Sequence, residues 1–263
     1  MGEAIVITSG KGGVGKSTLT ANLGAVLAKQ GKTVLVIDTN LGLRNLDLFL
    51  GLENQIIYNL VDVIHRKCKL KDALLPCKDF PQLHFLPAAQ TKDPSSISPE
   101  EMKELIEELK NDYDYLFLDC PSGIEQGFQN AIAGADKAIL IATLDPASIR
   151  DADRMLRLLE TKGIRQCQLL INRFRVEFSS KENGISLEEL SELLPVDLLG
   201  VIPEDDQLYV SSIHGKNVVG EECPAGQALQ NVCRRFLGES IPIQDFQAEQ
   251  GGLLHRFKHF FKK

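Results

Sequence analysis

The sequence predicts an α/β protein: a doubly wound, mostly parallel sheet of about seven to eight strands with helices on both faces. Short runs rich in Val, Ile and Leu recur without alternating with polar residues, so each would be buried on both faces. Helical patterns fill the spaces between these runs, and strand–helix alternation of this kind makes neighbouring strands parallel. The first run ends in a glycine-rich turn that opens into a helical pattern, and ligands of such sheets sit at the carboxyl ends of the strands.

In chain order the expected strands cover 4–8, 33–38, 83–86, 115–119, 138–143, 168–172 and 198–202. Helices are expected over 16–30, 99–110, 125–133, 147–161, 187–194 and 226–236. Asp145-Pro146 supplies one helix start, and Ser186 with Glu189 three residues on supplies another. Residues 239–250 are polar, contain Pro242 and show no period. The expected organisation is one domain over 1–238, a linker over 239–250 and a separate last segment over 251–263.

The chain has 263 residues, 25% of them charged, with a net charge of −7. The charge is unevenly spread. Residues 251–263 carry Arg256, Lys258, Lys262 and Lys263 and no acid, leaving 25 basic against 36 acidic residues, or −11, for the rest. An acidic body argues against broad nucleic-acid binding, and a basic end on it points to a local anionic surface. No run reaches the roughly 18 apolar residues of a membrane span. Met1 leads straight into Ala4-Ile5-Val6-Ile7 without a basic start, so no secretory leader is expected. Six scattered cysteines suit reduced thiols in the cytoplasm.

The turn reads Gly10-Lys11-Gly12-Gly13-Val14-Gly15-Lys16-Ser17, followed by Thr18. Between a strand and a helix this is a phosphate loop, whose successive backbone N–H groups wrap a phosphate. Lys16 would reach the β- and γ-phosphates, and the Ser17 hydroxyl would ligate Mg²⁺. Lys11 is a second cation at the loop tip, aimed away from the Lys16 site; an ordinary surface lysine would look the same. Asp38 and Asp119 close two apolar strands, where either carboxylate could hold Mg²⁺ or a water on it. Pro121, Gly123 and Glu125 follow Asp119, with Gly123 as a hinge that brings an N–H near the γ-phosphate.

Lys11-Gly-Gly-Val-Gly-Lys16-Ser17-Thr18 resembles the deviant Walker A box of the MinD/ParA family of dimerising ATPases. Val36-Ile37-Asp38-Thr39-Asn40-Leu41-Gly42-Leu43-Arg44-Asn45-Leu46-Asp47 is similar to the family's switch I. The stretch 117–125 is similar to its Walker B and switch II segment. The resemblance implies ATP and Mg²⁺ as cofactors, and a homodimer in which Lys11 reaches the partner's phosphates. It places Lys11, Lys16, Asp38 and position 40 among the catalytic groups. Asn172 and Arg173, with Pro203 and Asp205 on a later loop, take its base-recognising position; a strand-end turn would also suit Asn172. Position 175 is Arg where a guanine pocket would carry Asp, so adenine is expected. Asp151 and Asp153 resemble residues used for partner docking, and they equally fit a solvated, acidic helix start. The implied partners are a MinC-like division inhibitor and a MinE-like activator, with the protein in the cytoplasm and peripheral on the inner face of the membrane.

Asn40 departs from the family, which has a second aspartate there, assigned to the attacking water. Asparagine keeps an acceptor oxygen but carries no charge and takes up no proton. Slower hydrolysis with nucleotide binding retained is the expectation.

At 100° per residue, Leu253, Leu254, Phe257, Phe260 and Phe261 fall in an arc of about 120°, with Arg256, Lys258 and the other polar residues opposite. That pattern describes an amphipathic helix lying in a membrane surface. A last helix packed on the body has the same pattern. Three readings therefore remain: a septum-placing membrane ATPase, a membrane-attached nucleotide-binding scaffold with negligible turnover, and a flagellar-placement ATPase of the same family.

Overall fold

The computed structural model describes residues 1–178, 185–219 and 222–244. The expected amphipathic segment 251–263, and the expected linker beyond 244, lie outside the described residues.

The elements follow in order as β1 (Glu3–Thr8), α1 (Lys16–Lys29), β2 (Val34–Asp38), α2 (Leu46–Leu50), α3 (Leu60–Ile64) and α4 (Leu70–Ala73). Next come β3 (Leu75–Cys77), β4 (Phe80–Leu86), α5 (Pro99–Leu109), β5 (Tyr115–Asp119), α6 (Gln126–Ile132) and β6 (Lys137–Ala142). The described part closes with α7 (Pro146–Thr161), β7 (Gln166–Phe174), α8 (Leu187–Leu193), β8 (Asp197–Pro203), α9 (Asp206–Ile213) and α10 (Pro224–Phe236). Eight strands form one sheet in the order β3-β4-β2-β5-β1-β6-β7-β8. Every neighbouring pair is parallel except β3 with β4.

The continuous apolar strands are buried on both faces, as their composition requires. Ala4, Val6, Leu35 and Ile37 point into one core, which α5, α6 and α7 cover. Ile5, Ile7, Val34 and Val36 point into the other, covered by α1 and α10. Each Val, Leu or Ile among them, fully buried, contributes about 1.5–3 kcal/mol. The expected helix starts form: Asp145 accepts from the Ser148 amide at 3.0 Å, and Ser186 and Glu189 make a reciprocal capping box. Among the described residues no helix is long and apolar enough to cross a membrane.

Four helices and one strand go beyond the sequence reading. β3 is three residues with Pro76 at its centre, tolerable only at the sheet edge where it lies. Helices α2, α3 and α4 are four or five residues long, too short to show a period. In α9 only Leu208 is buried, while Tyr209, Val210 and Ile213 are exposed, so no single apolar stripe marks the helix.

Candidate nucleotide site

The crossing point of the sheet lies between β1 and its neighbours β5 and β6, and the loop leaving β1 opens there. Gly13 and Gly15 hold φ of +76° and +99°, the left-handed region that glycine enters without strain. A Cβ on Gly15 would also stand 2.4 Å from Asn172 Nδ2. Gly15→Ala should therefore displace the loop and weaken nucleotide binding by tenfold or more, measurable by fluorescent-nucleotide titration. Among the described residues the amides of Gly12, Gly13, Val14 and Gly15 donate to no protein acceptor, so the loop presents a set of free N–H groups to an anion. This cradle fits a phosphate.

Lys16 is buried beside the loop, its Nζ donating to Ser9 Oγ at 3.0 Å. Ser17 Oγ donates to Asp119 Oδ2 at 2.5 Å, and Thr20 Oγ1 donates to Asp119 Oδ1 at 3.3 Å. Hydroxyl and carboxylate oxygens side by side are the hard donor set that suits Mg²⁺. A cavity of about 330 Å³ is lined here by Lys16, Ser17, Thr18, Asn40, Asp119 and Pro121, among others.

Asp38 and Asp119 are direct neighbours in the pairing of β2 with β5, and both are buried. Burial raises both carboxyls above the ordinary range, and for Asp38 the Asp119 charge adds to it. Asp38 does not line the phosphate-side cavity. Its Oδ1 accepts from the Asn40 amide at 2.8 Å, and its Oδ2 from the amides of Asn45 and Leu46 at 3.2 and 3.1 Å. The carboxylate thus anchors both ends of the switch I loop. Asn40 itself donates from Nδ2 to the Leu43 carbonyl at 2.9 Å.

Lys11 lies outside this cavity, as its place at the loop tip suggests. Its side chain is 45% exposed and its Nζ meets Asp145 at 3.4 Å. Gly123 carries φ +98°, and Glu125 stands exposed at the start of α6. Gly10 lies against α7, where a Cβ on it would stand 2.2 Å from the Asp151 carbonyl oxygen. On that helix Asp151 pairs with Arg154 and Asp153 with Arg157.

Asn172, Arg173, Pro203 and Asp205 all line a second cavity, of about 740 Å³. The pairing of β7 with β8 gains an extra residue between Ile171 and Phe174, and Arg173 sits in the bulge at φ +54°. The bulge turns Arg173 toward both cavities. Two of these residues also do local work. Asn172 Nδ2 donates to the Val14 carbonyl at 2.8 Å, tying the phosphate loop to β7. Asp205 caps α9 through the Gln207 amide at 2.8 Å and holds the Ala225 amide at 3.0 Å.

Part of this cavity's lining was not legible in the sequence: Leu48 and Phe49 from α2, which also line the phosphate-side cavity, and Tyr209 and Ile213 from α9. The two helices end on facing glycines. Gly51 and Gly215 both have positive φ, and a Cβ on Gly215 would stand 2.6 Å from Gly51 Cα.

Residues 5–218 match the CobQ/CobB/MinD/ParA nucleotide binding domain. The septum site-determining protein MinD of Bacillus subtilis (strain 168) is 47% identical over 264 residues, covering 99% of this chain and 98% of its own. The MinD protein solved in a MinC:MinD cell division complex from Aquifex aeolicus is 44% identical with a TM-score of 0.86, covering 92% of this chain and 99% of its own. A MinD of Pyrococcus horikoshii OT3, solved with Mg-ADP, is 30% identical with a TM-score of 0.81, covering 90% of this chain and 96% of its own. Shared sheet, shared loop and near full-length identity lead to one conclusion: the chain belongs to the MinD family of CobQ/CobB/MinD/ParA nucleotide-binding proteins.

Proposed function

We propose that this chain is a Mg·ATP-driven, membrane-attached switch that places the division septum. The observation that carries the reading is the division of labour between two lysines of one loop. Lys16 is buried at the phosphate-side cavity, while Lys11 stands exposed at the rim, outside that cavity. A cation held there is available to a second copy's phosphates, in a homodimer closed over two nucleotides. The relatives named for septum placement support the cellular role, and the Aquifex complex supports a MinC-like partner. A MinE-like activator is the expected trigger of hydrolysis, and Asp151 and Asp153 on α7 are the proposed docking residues for such partners.

The chemistry follows from the groups present. The free amides of the loop and Lys16 bind and orient the phosphates. Ser17 and Asp119 would hold Mg²⁺, which neutralises charge developing on the phosphoryl oxygens. Asp38 keeps switch I beside the phosphates through its three amide bonds, and Gly123 gives switch II its hinge. Asn172, Arg173, Pro203 and Asp205 frame the adenine. With no carboxylate at position 40, proton uptake from the water is unassisted, so turnover is slowed rather than abolished.

Residues 1–238 form the ATPase body, 239–250 the linker and 251–263 the membrane-targeting helix. Two Leu and three Phe, worth about 1.5–3 kcal/mol each if fully buried, are only partly buried at an interface. Ordering the helix costs about 1 kcal/mol or more per residue, so a single tail binds marginally. Two tails on one dimer reinforce each other through effective concentration. Sedimentation with anionic liposomes should show strong binding with ATP and weak binding with ADP, and deleting 251–263 should remove both. Equal binding in the two nucleotide states would refute the coupling. A chain that binds ATP and vesicles but releases no phosphate would instead be a nucleotide-gated scaffold.

A further inference from the structure

Among the described residues six helices end in one hydrogen-bond pattern, and one of them departs from the residue that the pattern favours. In α1, α2, α7, α9 and α10 two successive amides close the last turn, the first of them from Gly31, Gly51, Gly163, Gly215 or Gly238, all at positive φ. This closure puts its first residue in the left-handed region, which glycine enters without strain. Helix α3 ends in the same way: the Arg66 amide donates to the Val63 carbonyl at 2.9 Å, and the Lys67 amide to the Asp62 carbonyl at 2.8 Å. Its left-handed residue, however, is Arg66, at φ +58°. Glycine would serve the fold better, so what the chain keeps at this strained position is the guanidinium.

Arg66 does not stand alone. Residues 66–78 carry Arg66, Lys67, Lys69, Lys71 and Lys78 against Asp72, or +4, which leaves 20 basic and 35 acidic residues, or −15, for the rest of 1–250. All five cations are exposed. Lys67 meets Asp62 at 3.7 Å, while Arg66, Lys69, Lys71 and Lys78 form no ion pair among the described residues. On so acidic a body, four unpaired cations close in sequence make a positive surface that local acids leave open. It surrounds α3, α4 and β3, the first strand of the sheet order; the chain leaves α10 beside the last, where Arg235 Nε donates to the Leu199 carbonyl of β8 at 3.0 Å. Seven strand spacings, roughly 34 Å, separate the two edges. None of the five cations lines either cavity.

We propose that this edge is a docking surface for a short acidic segment of a partner protein, separate from α7 and independent of the nucleotide reading. A membrane reached by the tail is met from the opposite edge. A nucleic acid would find few cations here, on a body that repels its phosphates. An acidic segment needs only the patch. Pro76 at the centre of β3 removes an N–H from the sheet edge, so the segment is held by charge rather than added as a strand. Surface charge of this kind speeds encounter and selects the partner.

A fluorescent oligoglutamate peptide, titrated into the full chain and followed by anisotropy, tests the surface. The variants are Arg66→Gly, Arg66→Gly with Lys69→Gln and Lys71→Gln, and, in the tail, Lys258→Gln with Lys262→Gln. Binding should weaken about threefold in the first and tenfold or more in the second, and stay unchanged in the third. Thermal melts should give Arg66→Gly a higher midpoint than the natural chain, because the strain goes while both closing bonds remain. Loss of binding with a gain in stability separates a docking role from a structural one. Unchanged peptide binding in the triple variant, or a lower midpoint for Arg66→Gly, would overturn the proposal. It would also fall if the triple variant lost binding to anionic vesicles with ATP, since the patch would then face lipid. A natural chain that held a short DNA duplex more tightly than the peptide would assign the surface to nucleic acid instead. Self-association of the natural chain that disappeared in the triple variant, read by light scattering, would assign it to a second copy.

Discussion

Replacing Lys11 with alanine should leave ATP binding by the monomer almost unchanged and abolish the ATP-dependent dimer. In the single chain Lys11 holds only an exposed ion pair with Asp145 at 3.4 Å, both side chains more than 40% exposed. Such pairs contribute about 0–1 kcal/mol, so the monomer loses little and the lysine is released easily. Across a closed dimer the same ammonium would be desolvated against phosphate oxygens, where truncating one partner costs about 2 kcal/mol or more. Two-fold symmetry makes every such contact twice. The combined loss is on the order of 10³-fold in dimer affinity. Light scattering with a non-hydrolysable ATP analogue measures it directly. A Lys11→Ala protein that still doubled its mass would leave no role for the lysine across an interface.

Asp119→Asn should raise the stability of the nucleotide-free, metal-free protein while destroying its affinity for Mg·ATP. Asp38 and Asp119 are buried neighbours whose carboxyls both stand above the usual carboxylate range. Burial is the main cause for both, and for Asp38 the Asp119 charge comes second. A carboxyl raised in the fold binds its proton more tightly folded than unfolded. Stability therefore falls as pH climbs from the unfolded value near 4 through the folded values, and the full penalty is present above pH 7. For Asp119 the penalty is that of keeping a charge out of water, since burial is the largest cause of its raised carboxyl. Asparagine removes that penalty and relieves Asp38, while the Ser17 and Thr20 hydroxyls can still bond to it. A midpoint higher by several degrees at pH 8 is expected, with the advantage shrinking toward pH 5. Thermal melts across that range, with and without Mg·ADP, check it; a lower midpoint for the variant at pH 8 would show that the pair is not strained.

Much of this molecule could be read along the chain, and what escaped has physical reasons. The long strands and helices declare themselves because each repeats its burial over several turns or pleats, as in α5 and α7. The loop glycines do so because their spacing has a purpose independent of context. Helices α2 and α9 do not, since the first is five residues long and the second is largely exposed. With them part of the larger cavity's lining went unseen. The two roles of Asp38 and Asn172 were hidden for a different reason: a carboxylate that gathers amides two to eight residues away, or an amide that reaches a loop 158 residues away, is visible only after folding. The bond between Asn40 and Leu43 falls between these cases. Its spacing is a common turn geometry, but nothing in the sequence says that the side chain closes it.

The facing glycines at the ends of α2 and α9 bear on how the site can come apart. Where elements meet through side chains, the contact yields gradually through changes of rotamer. At Gly51 and Gly215 backbone lies against backbone, with a distance that admits no added carbon. Such a seam has no intermediate setting: the helix ends are in contact or they are parted. The segment that follows switch I and the helix that follows the base-recognising loop are therefore expected to open together, with hydrogen exchange showing their amides losing protection at one rate.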